Sequence, residues 1–107
     1  MHRLISLPVL AIILAMAPTL HAQQYPSKPI RIIIPFPPGA SLDTMSRLIA
    51  PKLTERLGQN IVVDNRSGAA GQLGLELAAR AAPDGHTLVG GQGGNLVVEP
   101  HTYRKLP

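Results

Sequence analysis

The sequence contains no cysteine and no tryptophan, and its only aromatic residues are Tyr25, Phe36 and Tyr103. The missing thiols exclude disulfides and thiolate metal sites. Stacking rings are scarce, and lysine and arginine are scattered singly except at Arg104-Lys105. That pattern argues against a nucleic-acid surface, although the formal net charge is +4. Enzyme parts are also lacking. No glycine-rich segment reads GxxxxGKS or GxxxxGKT, which excludes a phosphate-binding P-loop. Gly68 to Gly74 gives GxxGxxG where a dinucleotide site needs GxGxxG. Ser41 and Ser67 stand in no GxSxG elbow, and no two carboxylates are spaced as an acid/base pair. His21, His86 and His101 lack metal-ligand spacing, so neither a metal nor a cofactor is expected.

What is present begins with a leader. Met1 to Ala22 has a basic start at His2 and Arg3, an apolar run from Leu4 to Ala17, and a helix-breaking Pro18. This pattern is that of an export signal, and the run is too short for a membrane span. Cleavage after Ala22 would place Leu20, rather than a small residue, three positions before the cut. The remainder is marginal for a self-sufficient core. Residues 23–29 read as a flexible lead-in, and residues 30–107 as one domain segment.

The stretch Ile30 to Arg47 organises that segment. Ile30, Ile32, Ile33 and Ile34 suit a buried strand, and Pro35, Pro37, Pro38 and Gly39 stop it. A helix should open at once, with Ser41 as N-cap, Asp43 in the first turn, and Leu42, Met45, Ile49, Leu53 and Leu57 on its apolar face. Pro51 interrupts it and Gly58 ends it. A second strand is expected at Asn60 to Asp64, a turn at Asn65 to Gly68, a helix over about Gly71 to Ala82, and a third strand at Thr87 to Val89. The order β-α-β-α-β with short connections predicts a parallel α/β sheet.

In such a sheet the loops Pro35–Ser41, Asn65–Gly71 and Gly90–Asn95 share one edge, where open α/β folds bind ligands. Backbone N–H groups of Gly39, Ala40 and Ser41 should face that crevice and make a site for a carboxylate or phosphate. Asp43 either orients this loop by accepting N–H bonds or merely completes the helix start, and Phe36 either floors a pocket or packs beneath the loop. Gln92 and Asn95 bring amides that can touch a ligand or bond their own loop. A rival from another class is a small α/β enzyme that uses a nucleotide or phosphate.

Five separated motifs then form a recognisable series: Tyr25-Pro26-Ser27-Lys28-Pro29-Ile30; Pro35-Phe36-Pro37-Pro38-Gly39 with Asp43; Val63-Asp64-Asn65-Arg66 with Gly68 and Gly71; Ala82-Pro83-Asp84-Gly85 with Thr87-Leu88; and Tyr103-Arg104-Lys105-Leu106-Pro107. The series resembles the Bug-type solute receptors of tripartite tricarboxylate transporters. That resemblance implies an exported, periplasmic, two-domain Venus-flytrap receptor of the type II periplasmic-binding-protein fold. It would not be an enzyme; it would pass a small carboxylated organic solute to a membrane permease. It also implies ligand contacts at Phe36, Gly39, Ala40, Ser41, Asp43, Ala69, Ala70, Gly71, Gln92 and Asn95. The chain departs from the family pattern at Ala40 and Ala70, where glycine is usual, at Ser67, where proline is usual, and at His86, where an aromatic is usual. Family members are several times as long. The expectation is therefore an incomplete first domain from a truncated member, with one wall of the cleft and weak or no binding by itself.

Overall fold

A computed structural model describes residues 22–102. The leader before Ala22 and the motif Tyr103–Pro107 lie outside the described residues. The elements are β1 (Ile30–Ile34), α1 (Ser41–Leu57), β2 (Ile61–Asn65), α2 (Gln72–Arg80), β3 (Thr87–Val89), a π-helical turn at Gly94–Val98 and the short helix α3 (Glu99–Thr102). Their order is the expected one.

All pairing is parallel, with sheet order β2-β1-β3. Ile30 to Ile34 align with Ile61 to Asn65 on one flank, and Arg31 to Ile33 with Thr87 to Val89 on the other. β1 takes the centre because its isoleucines tolerate complete burial: Ile30, Ile33 and Ile34 are core residues, and Pro35 behind them is fully buried. The first crossover runs from β1 outward to β2, and the second returns across β1 to β3. Right-handed crossovers therefore place α1 and α2 on opposite faces of the sheet. In agreement, α1 packs on β2 and β1, and α2 on β3 and β1.

The face that α1 buries departs from expectation. Met45 and Ile49 of α1, read as core, are exposed. The sheet instead receives Asp43, Ser46 and Ala50. Small side chains let the helix lie close, and the one buried charge is fully hydrogen-bonded. Ser46 Oγ closes on the Leu42 carbonyl at 2.8 Å. In α2 the buried position is Gly74, while Leu73 and Leu77 face outward. A Cβ at Gly74 would lie 2.7 Å from Pro35 Cβ and 2.9 Å from the Arg66 carbonyl. α2 thus rests directly on the corner that leaves β1.

Termini of the elements follow local chemistry. Gly58 adopts the left-handed conformation, φ 69°, and its N–H returns to the Thr54 carbonyl at 2.9 Å. Ser41 is not the N-cap of α1; Ala40 is, with no side-chain cap. α2 begins at Gln72, after a turn over Ala69–Gly71 in which Ala69 and Ala70 take positive φ. Lead-in residues 23–29, expected to be flexible, are tied to the turn before β3 through Tyr25, Ser27 and Lys28.

Candidate functional site

With every strand parallel, the three corners leave the sheet on its carboxyl edge, as the sequence implied. The chain reverses direction of winding between β1 and β3, the position at which open α/β sheets bind ligands.

The first corner is braced from inside. Asp43, 3% exposed, accepts the Gly39 N–H on Oδ2 at 2.8 Å. Its Oδ1 accepts from Asn65 Nδ2 at 2.9 Å and from Arg47 Nε at 3.0 Å. Asn65 Nδ2 also reaches the Phe36 carbonyl at 3.2 Å, and Asn65 Oδ1 accepts from Arg47 at 2.9 Å. The Gly39 N–H above all, then the Asn65 amide, hold the Asp43 carboxyl below the usual range, and burial opposes them only in part. The Ala40 N–H bonds the Pro37 carbonyl at 3.3 Å. Two of the three amides assigned to an incoming anion, those of Gly39 and Ala40, are therefore already occupied. Asp43 takes the orienting part of its two alternatives. The N–H groups of Ser41, Leu42 and Asp43 in the first turn of α1 have no loop acceptor among the described residues.

At the second corner the exposed Ala69 and Ala70, φ 47° and 55°, lead to buried Gly71, φ 95°. The Gly71 N–H closes on the Gly68 carbonyl at 3.0 Å. At the third, Asn95 Oδ1 accepts the Gln92 N–H at 2.9 Å, so this amide bonds its own loop with one of its two ends. Asn95 lies inside the π-helical turn, rather than in the preceding loop, and is 5% exposed. Because Oδ1 is committed to an N–H, the amide orientation is settled, and buried Nδ2 is left without an acceptor among the described residues. A Cβ on Gly71 would stand 3.2 Å from that Nδ2 and 3.4 Å from the Pro35 carbonyl. Pro35, Gly71 and Asn95 are thus where the three corners converge.

Phe36 is half-buried and holds its place through its carbonyl; Ser41 and Gln92 are exposed. Two links were not foreseen. Asn65, read only as a turn residue, ties β2 to the first corner, and an amide that follows a strand and precedes arginine was the available signal. Gln72 Nε2 donates to Glu99 at 3.1 Å and joins the start of α2 to α3, a pairing that nothing in local sequence announces. Arg66 is engaged by Asp64, Nε to Oδ1 at 3.0 Å, and so does not face the crevice as a free cation. A groove of about 530 Å³ runs between α1 and β2, lined by Ala50, Pro51, Thr54 and Ile61 among others. None of its lining residues belongs to the three corners. No cluster of three metal-ligating side chains exists among the described residues.

Residues 45–107 match the family described as tripartite tricarboxylate transporter family receptor. The chain is 45% identical over 83 residues to a UPF0065 protein of a Pseudomonas species, a match that covers 78% of this chain and 24% of that protein. Among solved structures, MatC from Rhodopseudomonas palustris with bound malate superposes with a TM-score of 0.72 at 38% identity, over 77% of this chain and 28% of that one. A second R. palustris protein, with adipate, gives 0.63 at 37% identity, over 65% and 23%. The chain thus spans about a quarter of the length of these relatives.

Proposed function

The chain belongs to the tripartite tricarboxylate transporter receptor family, and from that premise we propose that its carboxyl edge is one wall of a binding site for a small carboxylated organic solute. The observation that carries the reading is the convergence of unoccupied donors on one edge: the first-turn amides of α1 and the buried Asn95 Nδ2 beside Gly71. Donors without an opposing cation suit an anion that is bound through hydrogen bonds and released again. Bound malate and adipate in two related structures support the same chemical class.

The contacts would come from Phe36, Ser41, Ala69, Ala70, Gly71, Gln92 and Asn95, with Gly39, Ala40 and Asp43 shaping the first corner from behind. In a whole receptor a second domain closes over such an edge, excludes water and strengthens each bond. The partner is then a membrane permease, the location is the periplasm after export, and no chemistry is performed on the solute. With one wall alone, binding is weak or absent.

Two measurements on the purified chain test this. Amide NMR with a large excess of malate, adipate or citrate should shift Ser41, Leu42, Asp43, Gly71 and the Asn95 side chain, and a neutral diol should not; no shift at these positions overturns the site. Calorimetry with the same acids should show no affinity tighter than about 1 mM. A tighter value would overturn the one-wall reading while leaving the site in place.

A further inference from the structure

The edge opposite the binding corners holds a second polar cluster. His86 is 8% exposed, at the turn between α2 and β3. Its Nε2 accepts the Ser27 backbone N–H at 3.2 Å, so in this arrangement the ring is neutral and carries its proton on Nδ1. Nδ1 is buried and makes no hydrogen bond among the described residues; it lies 3.4 Å from Asp84 Oδ1, which already accepts the His86 backbone N–H at 2.9 Å. The Tyr25 ring is tilted by 59° against the imidazole, with centroids 5.0 Å apart, and its hydroxyl donates to the Gly85 carbonyl at 2.5 Å. The Lys28 ammonium meets the other Asp84 oxygen at 3.1 Å.

Serine, histidine and aspartate here stand in the order of a hydrolytic triad, but Nε2 is filled by a main-chain N–H. In this arrangement its lone pair is engaged by that N–H rather than aimed at a serine hydroxyl, and no acyl-transfer chemistry follows.

We propose that His86 is a pH-operated latch: neutral, it holds the Ser27 main chain on the amino edge of the sheet, and doubly protonated, it lets that link go. The second proton must go to Nε2, where it confronts the Ser27 N–H, donor against donor, and that amide is left without an acceptor. Among the described residues, the charged and titratable groups facing the ring are few. Its own turn brings Asp84 and the lead-in brings Tyr25, with Lys28 beyond Asp84. β1 brings only the Arg31 backbone N–H, to the His86 carbonyl, because the Arg31 side chain is paired with Asp64. Asp84 attracts the imidazolium, yet Lys28 and the His86 main chain already hold that carboxylate, so it offers no position that would restore the Ser27 bond. A cavity of about 270 Å³ between the lead-in and this turn, lined by Tyr25, Ser27, Lys28 and His86, gives water room to solvate the parted groups.

The test follows the Ser27 amide of the isotope-labelled full chain by NMR between about pH 8 and about pH 5. Exchange rates are corrected for the intrinsic pH dependence of amide exchange. Ser27 should lose about tenfold in protection with the same midpoint as the His86 ring protons. His86→Gln keeps a neutral acceptor and should protect Ser27 at both ends of the range; His86→Phe keeps the ring contact with Tyr25 but no acceptor and should leave Ser27 unprotected at both. Protection that is unchanged across the range in the unaltered chain, already absent at pH 8, or lost equally in His86→Gln would overturn the latch.

Discussion

Two adjacent alanines in the left-handed region, Ala69 and Ala70, each carry a steric cost of roughly 1–2 kcal/mol. Glycine at either position removes that cost, and the greater freedom of the unfolded chain takes back only about 0.4–1 kcal/mol. Ala70→Gly should therefore stabilise the chain by up to about 1.5 kcal/mol, read as a higher urea midpoint at unchanged slope. The same change at Ala79, inside α2, should destabilise it by about 0.5–1 kcal/mol. Carboxylates make a second residue-scale prediction. The His86 backbone N–H, and then the Lys28 ammonium, bring the Asp84 carboxyl down to about 2 from its ordinary 3.8. A folded value below the unfolded one stabilises at pH above the unfolded value and loses that contribution as pH falls through the folded one. Melting curves of the unaltered chain and of Asp84→Asn should accordingly differ most above about pH 4 and converge as the pH approaches about 2. Asp43→Asn should behave alike, since the Gly39 amide lowers that carboxyl too.

At the scale of elements, Gly74 decides how α2 meets the sheet. Alanine there would gain about 1 kcal/mol in helix propensity. The added methyl would sit 2.7 Å from Pro35 Cβ and 2.9 Å from a backbone carbonyl, neither of which can swing aside. Overpacking costs about 1–3 kcal/mol and prevails, so Gly74→Ala should lower the urea midpoint and, by moving Gly71 off Asn95, shift the Asn95 side-chain resonances. Element order, the parallel rim and the stop at Gly58 were legible because each depends on a few neighbouring residues: the isoleucines of β1, the prolines after it, one left-handed glycine. The buried face of α1 was not. Periodicity locates an apolar stripe but not what the stripe faces, and here Met45 and Ile49 look outward while Asp43, Ser46 and Ala50 meet the sheet. The N-cap at Ser41 failed for a related reason. Ser41 is already helical, and the extended residue that begins the helix is Ala40, which has no side-chain oxygen to cap with. The joining of Asn95 to Gly71 and of Gln72 to Glu99 depends on how distant segments meet, which no local pattern carries.

On the scale of the whole molecule, apolar stripes on both helices, together with Val62, Leu88, Leu96 and Val97, are exposed. An apolar surface so extended drives self-association, so sedimentation of the chain should depend on concentration and a hydrophobic dye should bind it. Leu48, 72% exposed, makes the simplest probe. Leu48→Lys should reduce association and change the urea midpoint by no more than about 0.5 kcal/mol in stability. The sheet itself adds a consequence of its layout. Since β2 and β3 never touch, every ladder bond has one end on β1. That strand is the single hub of a two-spoke network, and a break in it disconnects both neighbours at once, with no alternative route to keep them aligned. The five amides of Ile30 to Ile34 should then be the slowest in the chain to exchange with heavy water, and should open together rather than one at a time.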